Sequence, residues 1–424
     1  MPVAFGLVIV ILTAGCGLAL AYALAAGAFT AYIAAGHSEY MAFWPQRVFS
    51  QLNIFALMAM PLFILTGELM NRGGVTRALI NLAMAIVGRL PGGLGHVNVI
   101  TSFFFAGISG SAVADTAAMS RILVPAMKDE GYDSAYAAAI TAASSVIGPI
   151  IPPSIILIFY GALMGVDVAA LFLGGIGPGL VLATALLTMN AYLGRKSGTM
   201  PSARPALGPA FLKAAPALGV PFIVMSGIVF GWMTPTEAAA VAVLCAAMIG
   251  VMRGTLRGDD ILEAFKRSTI LTGAIFALIA AASLWSFLAA LSALPDRIDT
   301  LIEALILNGT PYLLVMTLIL LFVGMFLDIP IALALLAPIL VPPALAAGAD
   351  PVHIGVFVCF NLCIGLLTPP LGGCLIVTSA STGVPYFKLA KALAPFIFVE
   401  ILVLIIILFT PEIVTFIPKS VGVM

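Results

Sequence analysis

Long apolar runs separated by short polar stretches dominate the chain, without the strict alternation that marks half-buried strands. The runs recur at about 17 to 25 residues, the length a helix needs to cross hydrocarbon. In the first half the pattern predicts helices over 2–17, 18–36 and 51–70, then an amphipathic stretch, NRGGVTRALINLAMAIVGRL. An apolar hairpin follows over about 96–127 with GISGSAVAD at its tip, then a broken span over 134–165 and a span over 168–193. The second half repeats this order: helices over 215–232, 235–252 and 268–290, and an amphipathic PDRIDTLIEALIL. A hairpin over about 311–345 carries GMFLDIP at its tip, and a broken span over 352–382 and a last span over 392–410 complete the half.

The repeat is explicit in the residues. Laying residue n over n + 217 puts Gly107 on Gly324, Ile122–Pro125 on Ile339–Pro342 and Gly131 and Asp133 on Gly348 and Asp350. It also puts Ile147 and Gly148 on Ile364 and Gly365, and Pro152 and Pro153 on Pro369 and Pro370. Coincident glycines and prolines mark backbone geometry and not merely apolarity. The amphipathic stretches match by position alone, since Arg72 falls on Ala289 and Arg89 on Ile306. They are expected to lie along the membrane surface, one on each side.

Composition agrees with a polytopic helical membrane protein: of 424 residues, 62% are hydrophobic and 8% charged, against about 25% charged in soluble domains. The pattern of an outer-membrane barrel is absent, and the N-terminal run reads as a first span, not a cleaved signal. Five crossings and one re-entrant hairpin per half make the second half inverted relative to the first. With MKDEGYDS in the cytoplasm, all of the 18 Lys and Arg except Arg47, Arg297 and Lys419 fall on the cytoplasmic side, as the positive-inside rule asks. The net charge of zero says nothing about partners, and no nucleic-acid partner is expected. Cys359 and Cys363 share a helix face without a His or further Cys beside them, which argues against a metal centre.

The breaks IGPIIPPS (147–154) and IGLLTPPL (364–371) carry the chemistry. Lipid satisfies no free N–H or C=O, so an interrupted helix is tolerated only where it lines a protein cavity. Proline removes an N–H and blocks a carbonyl, and Gly148 and Gly365 are expected to adopt backbone angles closed to other residues. Carbonyls freed around Val146 to Ile151 suit a small cation, and N–H groups freed around Ser154 to Ile156 suit an anion. The first tip adds Ser109, Ser111 and Asp115; the second adds Gly324, Met325, Asp328 and Pro330. Tip plus break, twice, is the layout of a secondary transporter with its site at the midplane, and oxygen-rich surroundings suit an alkali cation.

Asp115 reads as a coupling-ion or proton site or as an N-cap of the second hairpin helix; Asp328 reads as a cap or a ligand. Ser144, Ser145, Ser154, Thr368, Thr378 and Ser379 flank the breaks, as ligands or as hydroxyls bonded to the carbonyl four residues back. His37, His96 and His353 lie at span boundaries and read as structural or solvated. Glu68 and Arg72 read as an ion pair.

The motifs LFILTGELMNRGGVT, GGLGHVNV, GISGSAVADTAAM, ITAASSVIGPIIPPSI, GIGPGL and IGLLTPPLG together resemble the large membrane subunit of tripartite ATP-independent periplasmic (TRAP) transporters, over essentially the whole chain. The resemblance implies sodium-coupled uptake, across a bacterial inner membrane, of an organic acid such as a C4-dicarboxylate, a sialic or other sugar acid, or an ectoine. It implies a periplasmic substrate-binding protein and a small four-helix membrane subunit; the chain starts at the large-subunit start, so a separate small subunit is expected. It also implies an elevator-type fold with no cofactor beyond Na+ as coupling ion. The first sodium site would involve Ser109, Ser111, Ser145, Gly148 and Pro152, and the second Gly324, Met325, Gly365, Thr368 and Pro369. Asp115, Ser154 and Asp328 remain as substrate or coupling candidates, and LGGCLIVTSASTG as a determinant of substrate preference.

The expected organisation is scaffold with a cytoplasmic arm over 1–95 and a transport half over 96–167. Scaffold with an external arm follows over 168–310, then the second transport half over 311–383 and a final scaffold helix and tail over 384–424. The alternative is a stand-alone carboxylate transporter needing no binding protein. GISG matches a serine-nucleophile pattern, but a nucleophilic Ser needs a His in reach and no His lies deep in a span, so an enzyme is not expected. No G-x-x-x-x-G-K-[ST] loop is present, which excludes an ATP-driven pump within this chain.

Overall fold

The computed structural model describes residues 2–194, 205–293 and 309–423, and among them every regular element is a helix. The chain opens with α1 (Pro2–Gly15) and α2 (Leu20–Ala34). A 3-10 turn leads to α3 (Trp44–Leu52) and a second one to α4 (Ala59–Arg72). The amphipathic α5 (Val75–Val87) stands where the sequence places the first arm. Hairpin 1 is α6 (Gly93–Ser109) and α7 (Ala112–Asp129). The first broken span is α8 (Ser134–Ser145) and α9 (Ile155–Met164), followed by α10 (Val168–Gly194).

The second half runs α11 (Leu207–Val229), α12 (Pro235–Met252) and α13 (Gly258–Leu291). Hairpin 2 is α14 (Thr310–Gly324) and α15 (Ile329–Ala346). The second broken span is α16 (Pro351–Gly365) and α17 (Gly373–Thr382), and α18 (Tyr386–Phe409) and α19 (Glu412–Val421) complete the chain.

The internal repeat holds residue by residue. Helices α7 and α15 begin and end 217 apart, and α6 and α14, like α8 and α16, begin 217 apart. Asp133 and Asp350 cap equivalent helices, each accepting two backbone N–H bonds of 2.9–3.1 Å. The preceding turns hold Gly131 and Gly348 at φ of 85° and 87°, a left-handed conformation that favours glycine. The Pro152–Pro153 and Pro369–Pro370 peptide bonds are both cis.

The halves differ at their third span. The predicted helix over 51–70 is interrupted at Asn53–Ile54, where the chain bends by 63°. Its counterpart α13 is one helix of 34 residues, about 51 Å at 1.5 Å per residue. The predicted span starts only at 268 because five of the ten preceding residues are charged; Asp259 and Asp260 in the first turn suit the helix N-terminus. The short α19 follows the last span where only a tail was expected. The second amphipathic stretch, over 295–307, lies outside the described residues, as do Arg195, Lys196, Arg204 and Arg297.

Packing sorts most helices into two groups, which meet where α13 packs on α15, α4 on α6 and α9, and α5 on both α6 and α11. Helices α1 to α4 and α11 to α13 pack on one another, with Tyr32 Oη donating to the Leu284 carbonyl (3.1 Å) and Trp285 Nε1 to that of Leu24 (2.9 Å). Helices α6 to α9 and α14 to α17 pack on one another and also on α10, α18 and α19. Helix α10 faces the hairpins and broken spans through small residues, as Gly175 meets Ile150 and Gly174 meets Val352 and Val356, and α18 packs on α8, α16 and α17. Segments expected on one membrane face meet: Asp133 pairs with Lys388 (3.5 Å) and Arg72 with Glu68, Asp260 and Glu263 (3.7–4.0 Å). At the other end Arg47 stacks over Phe287 (4.1 Å).

Candidate functional site

At break 1, α8 ends at Ser145 and the chain continues in tight turns, with the N–H groups of Ile147, Gly148 and Ile150 each bonded three residues back (3.1–3.2 Å). Residues 145–154 are all buried. Pro152 and Pro153 end the turns, and Ser154 starts α9 by accepting from the Leu157 N–H (3.3 Å) while its hydroxyl donates to the Pro149 carbonyl. The tip of hairpin 1 lies against this break: a Cβ on Gly110 would meet Ile155 N and Pro153 O at 3.2 Å each.

Asp115 is fully buried, one turn into α7. The cap of α7 is Ser111, whose Oγ accepts from the Ala114 N–H (3.4 Å), so the capping role offered to Asp115 is taken. One Asp115 oxygen accepts from the Ser109 hydroxyl, and Oδ2 has no hydrogen-bond partner. That free oxygen faces Gly148: a Cβ there would collide with it and lie 3.2 Å from the Ser145 carbonyl. Gly148 and Gly365 are absent from the positive-φ glycines. Both are glycine for space, which corrects the sequence expectation about backbone angles.

Break 2 has the same register and a different surrounding. A Cβ on Gly365 would meet the Gly324 backbone at 2.6 Å, so tip and break touch main chain to main chain. The Met325 carbonyl accepts from the Gly372 N–H (3.1 Å) and the Leu366 carbonyl from the Cys374 N–H (3.0 Å). The Leu366 and Thr368 carbonyls converge on Gly372, at 3.0 and 3.1 Å from where its Cβ would be. Asp328 caps α15 through its own neighbour's N–H (3.0 Å), the cap alternative of the sequence reading. Ser145 and Thr368 donate to the carbonyls of Thr141 (2.8 Å) and Ile364 (2.9 Å), which leaves their oxygen lone pairs free.

Behind break 1, Asn98 Nδ2 donates to Thr141 Oγ1 (2.6 Å), Ser144 to Asn98 Oδ1 (3.1 Å) and Ser102 to Ser144 (2.9 Å). Sequence reading passed over Asn98 and Ser102, although polar residues four apart on an apolar helix point to a partner helix. It also passed over Asn361 and Glu400, both buried in spans. His353 Nε2 contacts the Ile407 carbonyl (2.9 Å), a structural role. A gap of about 70 Å³ separates Glu68 and Asn71 of α4 from Ser109 and Ser111 of the hairpin tip.

Residues 5–413 match the family model described as tripartite ATP-independent periplasmic transporter, DctM component. The chain is 36% identical to the sialic acid TRAP transporter large permease protein SiaM of Vibrio cholerae, covering 92% of each. It is 35% identical to the C4-dicarboxylate large permease DctM of Pseudomonas aeruginosa (89% of each). It is 33% identical to the 2,3-diketo-L-gulonate large permease YiaN of Escherichia coli (87% of this chain, 88% of that one). In fold it is similar to the YdaH transporter of Alcanivorax borkumensis, with a TM-score of 0.67 at 12% identity over 89% of each chain. MtrF of Neisseria gonorrhoeae gives 0.55 at 12% identity, over 89% of this chain and 85% of that one. The chain is a multi-pass transporter permease of the inner membrane, not an enzyme, and it belongs to the DctM component family of tripartite ATP-independent periplasmic transporters.

Proposed function

We propose that this chain is the large membrane subunit of a sodium-coupled importer of an organic acid. A periplasmic substrate-binding protein delivers the acid, and a small four-helix membrane subunit completes the assembly. The relatives are named for sialic acid, C4-dicarboxylate and 2,3-diketo-L-gulonate, which supports a carboxylate-bearing substrate class. Hairpins and broken spans form the moving unit, with α10 and α18 in it because they pack on it, and α1 to α4 and α11 to α13 form the frame. The unit carries the substrate across by an elevator movement.

The observation that carries this reading is the unpartnered Asp115 Oδ2 aimed at Gly148 in a wholly buried helix break. A buried carboxylate oxygen without a donor is costly, and intramembrane acids mark ion pathways. With Ser109, Ser111 and the Ser145 carbonyl it gives a hard-oxygen set suited to Na+, while Pro152 ends the turns of the break. At site 2 the donors are main-chain oxygens around Gly324, Met325, Gly365 and Thr368, with Pro369 in the turns of the break. The gap between Glu68 and Ser109 lies where frame meets tip, and the substrate carboxylate is placed there, toward the N-terminal end of α9 at Ser154.

Proteoliposomes holding both membrane subunits provide the test. Accumulation of the acid that requires an inward Na+ gradient, not K+, together with added binding protein, is the expected result. Uptake without the binding protein would instead favour a stand-alone carboxylate transporter, and uptake indifferent to Na+ would overturn the ion sites.

A further inference from the structure

Glu400 lies inside the 24-residue span α18, is wholly buried, and neither of its carboxyl oxygens has a hydrogen-bond partner. An acid in that position is expensive for the fold and marks a functional group by default. Its surroundings locate it. Helix α18 packs on α8, α10, α16 and α17. One turn before Glu400, Phe396 meets the Tyr136 ring of α8 (6.1 Å), and two turns after it the Ile407 carbonyl meets His353 of α16 (2.9 Å). Between them the carboxyl, like that of Asp328, is within electrostatic reach of the thiols of Cys363 and Cys374. Those cysteines bracket break 2: Cys363 stands two residues before Gly365, and the Cys374 N–H closes onto the Leu366 carbonyl (3.0 Å). Glu400 therefore stands behind the second break, reached from the last span and not from a hairpin.

The repeat sharpens the point. The second-half equivalent of Asp115 is Ala332 (115 + 217), and the first-half equivalent of Glu400 is Ala183 (400 − 217). Each break thus has one buried carboxyl with an oxygen lacking a partner, supplied by unrelated positions of the two halves. Backbone carbonyls and a hydroxyl bring only partial charges to site 2; of the acids near it, Asp328 spends an oxygen on capping α15 (3.0 Å), whereas both Glu400 oxygens are unpartnered.

We propose that Glu400 is the charge-balancing carboxyl of the second cation site, acting from behind break 2 to set its affinity for Na+. This rests on the sodium-coupled reading above. Glu400 is a positioning residue in this scheme: it sets the potential at the carbonyl cradle and is not itself assigned as a ligand. By Coulomb attraction a cation in the cradle favours the carboxylate form of Glu400 over its acid form.

The test uses the complete membrane assembly in lipid nanodiscs and dicyclohexylcarbodiimide, which modifies protonated buried carboxyls. In Na+-free choline buffer Glu400 is modified, read by peptide mass spectrometry, and saturating Na+ lowers the modification about 10-fold, the effect of about 1.4 kcal/mol of preference for the ionised form. Protection persists in Asp115→Asn, whose lesion is at the other site. Glu400→Gln raises the Na+ concentration that half-stabilises the assembly against heat by about 10-fold or more, and Glu400→Asp recovers part of the shift. Modification equal in Na+ and choline, no modification in either, protection lost in Asp115→Asn, or a Glu400→Gln curve matching wild type overturns the inference. Wild-type assembly with neither Na+-dependent uptake nor Na+-dependent stabilisation would instead bring down the underlying sodium reading. The modification experiment needs no variant, so a Glu400→Gln chain that fails to fold leaves it decisive.

Discussion

Break 1 and break 2 repeat each other at the level of glycine, proline and helix start, yet break 1 is buried throughout while Pro369, Pro370 and Leu371 of break 2 are exposed. The tip of hairpin 1 presents side-chain oxygens of Ser109 and Asp115 to its break; the tip of hairpin 2 presents the Gly324 backbone to Gly365. An inverted repeat preserves where the chain is interrupted, because that is written in backbone geometry. It leaves free what chemistry fills the interruption, because that depends on side chains from any neighbouring element.

Substitutions at the two glycines should separate the breaks most sharply. Gly365→Val meets main chain, which has no rotamer to change, so uptake in proteoliposomes falls more than about 100-fold and thermal stability falls by about 1–3 kcal/mol, the cost of overpacking. Gly148→Val meets the Asp115 side chain, which can turn away. Uptake is lost here too, but membrane assembly and melting temperature stay near wild type, checked by gel filtration and a melting scan. Normal uptake by both variants would remove the assigned sites.

A smaller contrast comes from charge. Asp115→Asn should raise the Na+ concentration for half-maximal uptake about 10-fold, or about 1.4 kcal/mol, with the protein intact; an unchanged sodium curve would take Asp115 out of site 1. Smallest are Ser145→Ala and Thr368→Val. Their hydroxyls already donate to carbonyls one turn back, so each should shift the sodium curve less than about 3-fold. A 30-fold shift would mean that side-chain oxygens outweigh the main chain.

Breaks, tips and the 217-residue offset were legible because glycine and proline constrain the backbone in ways independent of what surrounds them. The reason for Gly148 was not, since the Asp115 oxygen that fills its missing side chain comes from 33 residues away (148 − 115) and only packing brings it there. The first ten residues of α13 fall outside the predicted span because charge lowers the hydropathy of the window. A helix closes its backbone hydrogen bonds through charged residues as well as apolar ones, so α13 runs on through them. The bend at Asn53–Ile54 carries no proline or glycine, so no local signal marked it. Glu400 was legible in principle, as one acid in an unbroken apolar run, but its relation to break 2 required α18 to be placed against α16 and α17.

Where the frame meets the first tip, Gly67 of α4 offers no side chain: a Cβ there would stand 3.3 Å from the Ile108 carbonyl oxygen and 3.4 Å from Ser109 Cα. Interlocked ridges and grooves would have to climb over one another for any displacement along the helix axis. On the proposed elevator movement, a bare stretch of backbone at this contact would act as a bearing without ridges, and a side chain at position 67 would roughen it.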